Sequence, residues 1–487
     1  MGCIVAAINR KGDDAVPLVT RMLWALPHRE GAGCGLFTQR ESAHGRSLQD
    51  LLVPEVRSPV CIGYGLSDGH IPGSERSAVW VDELSSVVEG QIFSHSERRL
   101  LEALWSNDSR RTQALLGEVD GDYALISVNK GKLVAYRDPV GTVPLYVGED
   151  KNLVALAPEK KALWAIGMRK VVSFPPGHLF EWGAEADSMK LVKKIVPSPV
   201  VASVPTETAH RLAYLLRRAV EKRVNDSDKL ALAFSGGLDS GVLAKILLEM
   251  GKEVRLICVG IEGSVEVGQA EDAASELCLP ITVRVFPKDS VEDVIAKVIW
   301  HVEDFEPLKV DLGIPFYWVS KEARDLGMDV LMTGQGSDEL FGGYFRHLKV
   351  FQDQGGKALD EMLLEDVKRS YETDHELISN ICSDFQLGHL APYADMDLIA
   401  YALGIPHELK MNYEGQVLRK AILRVVAKDL GLTESVYMRP KKAMQYGTGV
   451  DKVLHGLAKR EGLNVRNYLE KRFTEVFPET TKLNGNS

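Results

Sequence analysis

Long apolar runs are missing from this 487-residue chain. No segment approaches the roughly 18 consecutive apolar residues of a helical membrane span, so none is expected. Cysteine is sparse, and the residues at 3, 34, 61, 258, 278 and 382 form no CxxC pair and no Cys/His cluster. That excludes a disulfide framework and a cysteine-held zinc site, and it fits a reducing, cytoplasmic setting. A basic excess is also lacking. The formal net charge of -10 argues against a nucleic-acid-binding enzyme, whose binding face would be rich in Lys and Arg. The histidines are dispersed and read as surface or satisfied core residues. The N-terminus has no secretory signal pattern, and Ala6 stands where a myristoylation signal needs Ser or Thr. There is no internal repeat and no low-complexity tract.

What is present is an ordinary globular composition, 45% hydrophobic and 26% charged, over a length that supports two or three domains. Residues 1–195 read as a β-rich first domain. Apolar runs at Met1 to Ile8, Val60 to Gly65, Ala78 to Val81, Val87 to Phe93, Tyr123 to Val128 and Leu133 to Tyr136 are strand-length and bounded by turn residues. Helices are expected at Ala15 to Leu26 and Glu97 to Trp105. The stretch from Gly183 to Thr208 loses periodicity, carries Pro197, Pro199 and Pro205, and reads as a linker. Over residues 206–472 strand and helix segments alternate, which implies a doubly wound parallel sheet. Expected there are helices at Glu207 to Val224, Val291 to Val302 and Ile314 to Leu326, and strands at Ile281 to Phe286 and Val330 to Thr333. The pattern turns mainly helical after Gly342. Residues 473–487 have no clear period and read as a flexible tail.

The most informative stretch is Leu230-Ala-Leu-Ala-Phe-Ser-Gly-Gly-Leu-Asp-Ser240. A buried-strand pattern leads into a turn with two glycines and two hydroxyls, then a helix, then a strand at Val254 to Val259. Backbone N–H groups at such a strand-to-helix turn suit an anion, phosphate above all. The loop is not a Walker P-loop: no Gly-x4-Gly-Lys-Ser/Thr occurs in the chain. A second turn, Thr333-Gly-Gln-Gly-Ser-Asp-Glu339, also follows an expected parallel strand and so lies at the same sheet edge. Asp239 and Asp338 are therefore candidates to hold Mg²⁺, which takes one or two carboxylates plus phosphate oxygens.

Ser235-Gly-Gly-Leu-Asp-Ser240 resembles the PP-loop of the ATP pyrophosphatases. Together with Gly334-Gln-Gly-Ser-Asp-Glu-Leu-Phe-Gly-Gly-Tyr344, it is similar to the synthetase domain of the asparagine synthetases. Pro392-Tyr-Ala-Asp395, Lys420-Ala-Ile-Leu-Arg424 and Arg439-Pro-Lys441 with Gly447-Thr-Gly449 extend the likeness. The resemblance implies ATP binding by Ser235, Gly236, Gly237, Leu238, Asp239, Ser240, Val259 and Gly334. It implies Mg²⁺ at Asp239 and Asp338, and charge stabilisation by Lys441 as an acyl-adenylate forms; Lys441 and Asp338 are the catalytic candidates. Asp120-Gly-Asp-Tyr-Ala124, Arg137-Asp-Pro-Val-Gly-Thr-Val-Pro-Leu-Tyr146 and Phe174-Pro-Pro-Gly177 resemble the same family's class II glutamine amidotransferase domain, an Ntn-hydrolase-like β-rich sandwich. The fold class implied is α+β for the first domain and α/β for the second, with a helical C-terminal part. Within the family, the branch of asparagine-synthetase-domain-containing proteins resembles Gly343-Tyr-Phe-Arg-His347 and Gln445-Tyr-Gly447 most closely.

The glutaminase residues that correspond are Cys3, Arg29 and Gly90. Here the family pattern is broken. Gly2 precedes the cysteine whose own α-amino group serves the family as base. Glu89 replaces an oxyanion-holding asparagine, and a carboxylate repels a developing oxyanion. His95 replaces an aspartate. This domain is therefore expected to keep its fold and to be weak or dead as a glutaminase. In the synthetase part Gln335, Asp311 and Gly388-His-Leu390 replace the family's acidic, arginine and Glu-x-Arg positions.

The activity implied is an ATP-dependent amide ligase that adenylates aspartate or a related acid, releases AMP and pyrophosphate, and takes nitrogen from ammonia or glutamine. Two alternatives remain: a related amide- or lactam-forming synthetase with another acid, and a non-catalytic nucleotide-binding scaffold. The partners expected are small-molecule substrates, with no nucleic acid and no membrane. A homodimer is compatible with the sequence.

Overall fold

The computed structural model describes residues 2–31, 33–51, 56–66, 78–81, 84–93, 100, 104, 109–183, 187–200, 205–224, 229–413, 416–440 and 444–478. The chain falls into two compact units, one built on Met1–Lys194 and one on Ile195–Cys382 and Leu387–Val476.

The first unit has thirteen described strands: β1 (Cys3–Asn9), β2 (Gly33–Thr38), β3 (Ser42–Gly45), β4 (Val60–Leu66), β5 (Ala78–Val81), β6 (Leu84–Ile92), β7 (Gly121–Asn129), β8 (Lys132–Arg137), β9 (Tyr146–Glu149), β10 (Leu153–Ala157), β11 (Val171–Ser173), β12 (His178–Trp182) and β13 (Ser188–Leu191). They form two antiparallel sheets, ordered β11-β9-β10-β1-β4-β2-β3 and β13-β12-β8-β7-β6-β5. Strand β1 explains the layering. Its side chains alternate, so Ile4, Ala6 and Ile8 meet Ala124, Ile126 and Val128 of the other sheet. Cys3, Val5 and Ala7 face the opposite way, toward Val19, Met22 and Leu23 of helix Val16–Trp24. The outer face of the second sheet packs Leu125 and Tyr136 on Leu115 and Leu116 of helix Ser109–Glu118. The result is a helix–sheet–sheet–helix sandwich.

Two expectations need correction here. Strand β13 lies inside the expected linker. It pairs with β12 through backbone groups (Ser188 with Glu181, Leu191 with His178) while its side chains are mostly exposed, so it shows no apolar alternation. Helix Pro205–Val224 also begins within that stretch. The expected helix from Glu97 to Trp105 falls largely outside the described residues.

The second unit holds β14 (Leu230–Ala233), β15 (Val254–Ile261), β16 (Ile281–Phe286), β17 (Val330–Met332) and β18 (Gly388–Leu390), ordered β16-β15-β14-β17-β18 and parallel throughout. From β14 the chain moves outward to β15 and β16, then returns to lay β17 and β18 on the other side. The strand order reverses between β14 and β17, and a crevice opens at the carboxyl ends of that pair. Helices Leu238–Glu249, Val265–Glu276, Ser290–Val302 and Pro307–Asp325 connect the strands. The last of these starts at Pro307, well before Ile314, because Pro315 sits inside it and reads as a break. Helices dominate the remainder, and Val465–Val476 includes the first residues of the expected tail.

Candidate active site

The glycine turn that the sequence marks for an anion follows β14 at the reversal point. Gly236 has φ +67, and a Cβ there would stand 2.6 Å from the Gln269 carbonyl oxygen and 2.9 Å from Ala270 Cα. Glycine alone fits that conformation and that approach. The Gly237 N–H donates to Ser235 Oγ at 3.3 Å, and helix Leu238–Glu249 starts at once. Ser240 Oγ is buried with no hydrogen-bond partner among the described residues. A buried hydroxyl left unmatched is costly unless a ligand completes it, and a phosphate oxygen at this helix N-terminus would. Arg439 straps the turn: its Nη1 donates to the Gly236 carbonyl and, at 3.2 Å, to that of Gln269.

The second turn follows β17, the immediate neighbour of β14. Gly336 has φ +92 and starts the short helix Ser337–Phe341. This places Asp338 beside Asp239. Lys420 Nζ lies 2.6 Å from Asp239 Oδ1 and 2.7 Å from Asp338 Oδ1, so both carboxylates converge on one cation-sized position. Ser337 Oγ donates to Asp239 Oδ1 at 2.8 Å, and Tyr393 donates to the Asp239 carbonyl at 3.2 Å. Among the described residues no group of three or more His, Cys, Asp or Glu could hold a metal. A pair of carboxylates facing a phosphate loop nevertheless fits Mg²⁺, which keeps waters and phosphate oxygens in its shell.

Two cavities open on these turns. The larger, about 700 Å³, is lined by Ser235, Asp239, Ser240, Gly334, Asp338 and Glu339. Its far walls carry Leu308, Leu312 and Phe316 from one helix and Tyr344, Arg346 and Arg369 from the segment beyond the second turn. That volume suits a nucleotide and a small acid. The smaller, about 150 Å³, lies between Ser235, Gly237 and Leu238 on one side and Lys420, Arg424 and Arg439 on the other. Three cationic side chains around the glycine turn suit a polyanion. Burial, and then the Asp338 charge, push the Glu339 carboxyl up to about 6, while its hydrogen bond from Tyr344 works in the other direction.

The structure brings together Ser235, Gly236, Gly237, Leu238, Asp239, Ser240, Gly334 and Asp338. Val259 is buried in β15 and lines neither cavity. Lys441 lies outside the described residues; its neighbours Arg439 and Pro440 line the smaller cavity. Asp311 does not line the larger cavity, although Leu308 and Leu312 of its helix do. Asp395 has a structural task. It accepts from the Asp397 and Leu398 N–H groups and pairs with Lys222 at 2.9 Å and Arg223 at 3.3 Å. His389, in the altered Gly388–Leu390 segment, is bound to Thr333 Oγ1 at 2.9 Å and Ser379 Oγ at 3.2 Å. Burial, then His375 and Arg223, lower its pKa to about 3, so it is a neutral core residue. Sequence reasoning included Glu339 with the second turn but did not assign Lys420 or Arg439 to the site. The basic residues of the two C-terminal strings were the available signal.

In the first unit, Cys3, Arg29 and Gly90 are the residues expected from the sequence at amidotransferase positions. Arg29 is buried, donates to the Gly2 carbonyl at 2.9 Å and pairs with Glu159. Gly90 has φ +107, and a Cβ there would stand 2.1 Å from the Asp122 carbonyl oxygen. The Cys3 thiol is pushed up to about 12, chiefly by burial; Arg29 pulls it down and Glu89 pushes it further up. Such a thiol stays protonated near neutrality, and the thiolate is the nucleophile. His95 lies outside the described residues.

The asparagine synthase family model matches residues 211–355 and 351–480, and a glutamine amidotransferase domain model matches 81–165. A Methanocaldococcus jannaschii protein assigned as a glutamine-hydrolysing asparagine synthetase is 28% identical over 92% of this chain and 94% of its own. Glutamine-hydrolysing asparagine synthetase 3 of Arabidopsis thaliana is 25% identical over 82% of this chain and 73% of its own. A solved glutamine phosphoribosylpyrophosphate amidotransferase from B. subtilis matches with a TM-score of 0.33 and 12% identity over 58% of this chain and 65% of its own. With its synthase match covering more than half of its length, the chain belongs to the asparagine synthase family of ATP-dependent carbon–nitrogen ligases.

Proposed function

We propose that the second unit activates a carboxylic acid, most simply aspartate, by adenylation and then amidates it with ammonia. The acid's carboxylate oxygen attacks the α-phosphorus of ATP, the α–β bond breaks, and pyrophosphate leaves. The nitrogen lone pair then attacks the acyl carbon, AMP departs with the bonding electrons, and the nitrogen loses a proton. The observation that carries this reading is the convergence of Asp239 and Asp338 beside the Ser235–Ser240 turn, next to a pocket walled by Lys420, Arg424 and Arg439.

The turn holds the β- and γ-phosphates through its N–H groups and Ser240. Arg439 fixes the turn's shape, and the smaller cavity receives pyrophosphate. Mg²⁺ held by Asp239 and Asp338 would offset phosphate charge. Lys441 takes the role of steadying the negative charge that grows on the α-phosphate, an effect worth about 10²–10³ in rate when one such group is removed. Glu339 lines the larger cavity and is a carboxylate placed to accept the proton lost by nitrogen. Nitrogen comes as free ammonia, because Cys3 is buried and protonated and Glu89 opposes an oxyanion.

The test is product analysis with ATP, aspartate and either ammonia or glutamine. AMP, pyrophosphate and asparagine with ammonia alone are expected. ADP and phosphate would refute the adenylation step, and AMP formed only with some other acid would replace aspartate.

A further inference from the structure

The position on which Asp239 and Asp338 converge is filled by the protein itself. Lys420 is 1% exposed, and its ammonium meets Asp239 Oδ1 at 2.6 Å, Asp338 Oδ1 at 2.7 Å and Ser337 Oγ at 3.2 Å. An ammonium has three N–H donors; this one donates to Asp239 Oδ1 and Ser337 Oγ and lies in ion-pair contact with Asp338 Oδ1. We propose that Lys420 is a resident counter-ion that closes the metal position until nucleotide arrives, so that a divalent cation enters only with ATP. This rests on the reading of Asp239 and Asp338 as the metal carboxylates.

Charge and size support the exchange. A buried and a half-buried carboxylate this close repel unless a cation sits between them. A lysine ammonium at 2.6–2.7 Å and a Mg²⁺ ion, whose ligands lie at about 2.0–2.1 Å, compete for the same oxygens and exclude each other. The local backbone is built around the lysine. Lys420 holds φ +58, uncommon for a residue with a side chain, and Gly343 packs so close that a Cβ would stand 2.3 Å from Lys420 Cε.

The displaced ammonium has a destination. Lys420 also borders the smaller cavity, opposite Ser235 and Gly237 and beside Arg424 and Arg439. A flexible four-carbon stem lets the charge pivot from the carboxylates to the phosphates that fill this space. The nucleotide thus supplies the anion that draws Lys420 away and brings the cation that replaces it. Metal alone supplies only the second half of that exchange, and finds its ligands already paired.

The experiment measures Mn²⁺ binding by electron paramagnetic resonance, with and without the non-hydrolysable analogue α,β-methylene-ATP. Nucleotide-free wild-type protein is expected to leave Mn²⁺ free, and the analogue to recruit one ion per chain. Lys420→Met is expected to bind Mn²⁺ without nucleotide at least tenfold more tightly than wild type, and Asp338→Asn added to it to abolish that binding. Lys420→Gln, which keeps a donor between the carboxylates and is the gentler change, is expected to behave in the same direction. Nucleotide-free wild type binding Mn²⁺ as tightly as either variant overturns the counter-ion role while leaving the carboxylate site standing. No bound Mn²⁺ in any protein, even with the analogue, overturns the metal site and the inference with it.

Discussion

The Ser337 hydroxyl donates to Asp239 Oδ1 at 2.8 Å and so ties together two turns 98 residues apart in sequence. It also accepts from Lys420 at 3.2 Å. One hydroxyl thereby orients both a carboxylate and the cation paired with it. Ser337→Ala removes an interaction worth about 0.5–1.5 kcal/mol net. The expected result is a two- to tenfold lower kcat/KM for ATP in pyrophosphate release, with the fold intact by circular dichroism. An unchanged value would show that Asp239 is held well enough without it.

Gly343 is the stricter constraint on the same cluster. A Cβ at this position would stand 1.7 Å from Asp338 Oδ1. Backbone φ there is not in the left-handed region, so Gly343→Ala strains the contact rather than the chain. The carboxylate must move away, and the ammonium with it. We expect AMP formation to fall at least a hundredfold while Tm shifts by no more than about 5 °C, because the displaced side chains can move into the adjoining cavity of about 700 Å³. Calorimetry and a pyrophosphate assay separate those outcomes; a large loss of Tm would mean that the cluster is chiefly structural.

For the first unit the expectation is silence. Cys3→Ala should leave ammonia-dependent amide formation within twofold of wild type, and neither protein should release glutamate from glutamine. A glutamate signal that disappears in Cys3→Ala would restore the glutaminase and contradict the protonated state inferred for the buried thiol.

How far the sequence could be read depended on the range of the interaction. Strand β14, its turn and the following helix are contiguous, so their pattern was visible as a unit. The same holds for β17 and Asp338. Lys420 belongs to a recognisable string, but its meeting with Asp239 spans 181 residues and no local period encodes it. Strand β18 has three residues, Gly388, His389 and Leu390, with one apolar side chain, so it left no apolar signature. Helix Val265–Glu276 was missed because only Ala270, Ala273 and Ala274 are buried, a stripe too small to stand out. Asp311 stands where the family has an arginine, but it is not part of the larger cavity. Its helix reaches that cavity through Leu308, Leu312 and Phe316, one helical turn apart, and Asp311 lies off that stripe.

What Asp311 does instead is testable through pH. It is 7% exposed, and its Oδ1 has no hydrogen-bond partner among the described residues. Burial, then the nearby Asp451 charge, push its carboxyl from 3.8 up to about 7, with His455 opposing. The folded-state pKa is raised, so the unfolded chain releases this proton near pH 4 and the folded chain only near 7. Below pH 4 both forms are protonated and the group costs nothing; as pH rises from 4 to 7 the unfolded state gains stability relative to the folded one. A tenfold difference in proton affinity between the two states is worth about 1.4 kcal/mol, so the penalty at neutrality is on the order of a few kcal/mol. Asp311→Asn keeps the shape of the protonated acid and cannot ionise. Urea unfolding should therefore find variant and wild type similar at pH 4 and the variant more stable at pH 7.5. A difference that stays constant across that range would mean that Asp311 ionises in the folded protein as readily as in the unfolded chain, and that Asp451 and His455 leave its charge balanced.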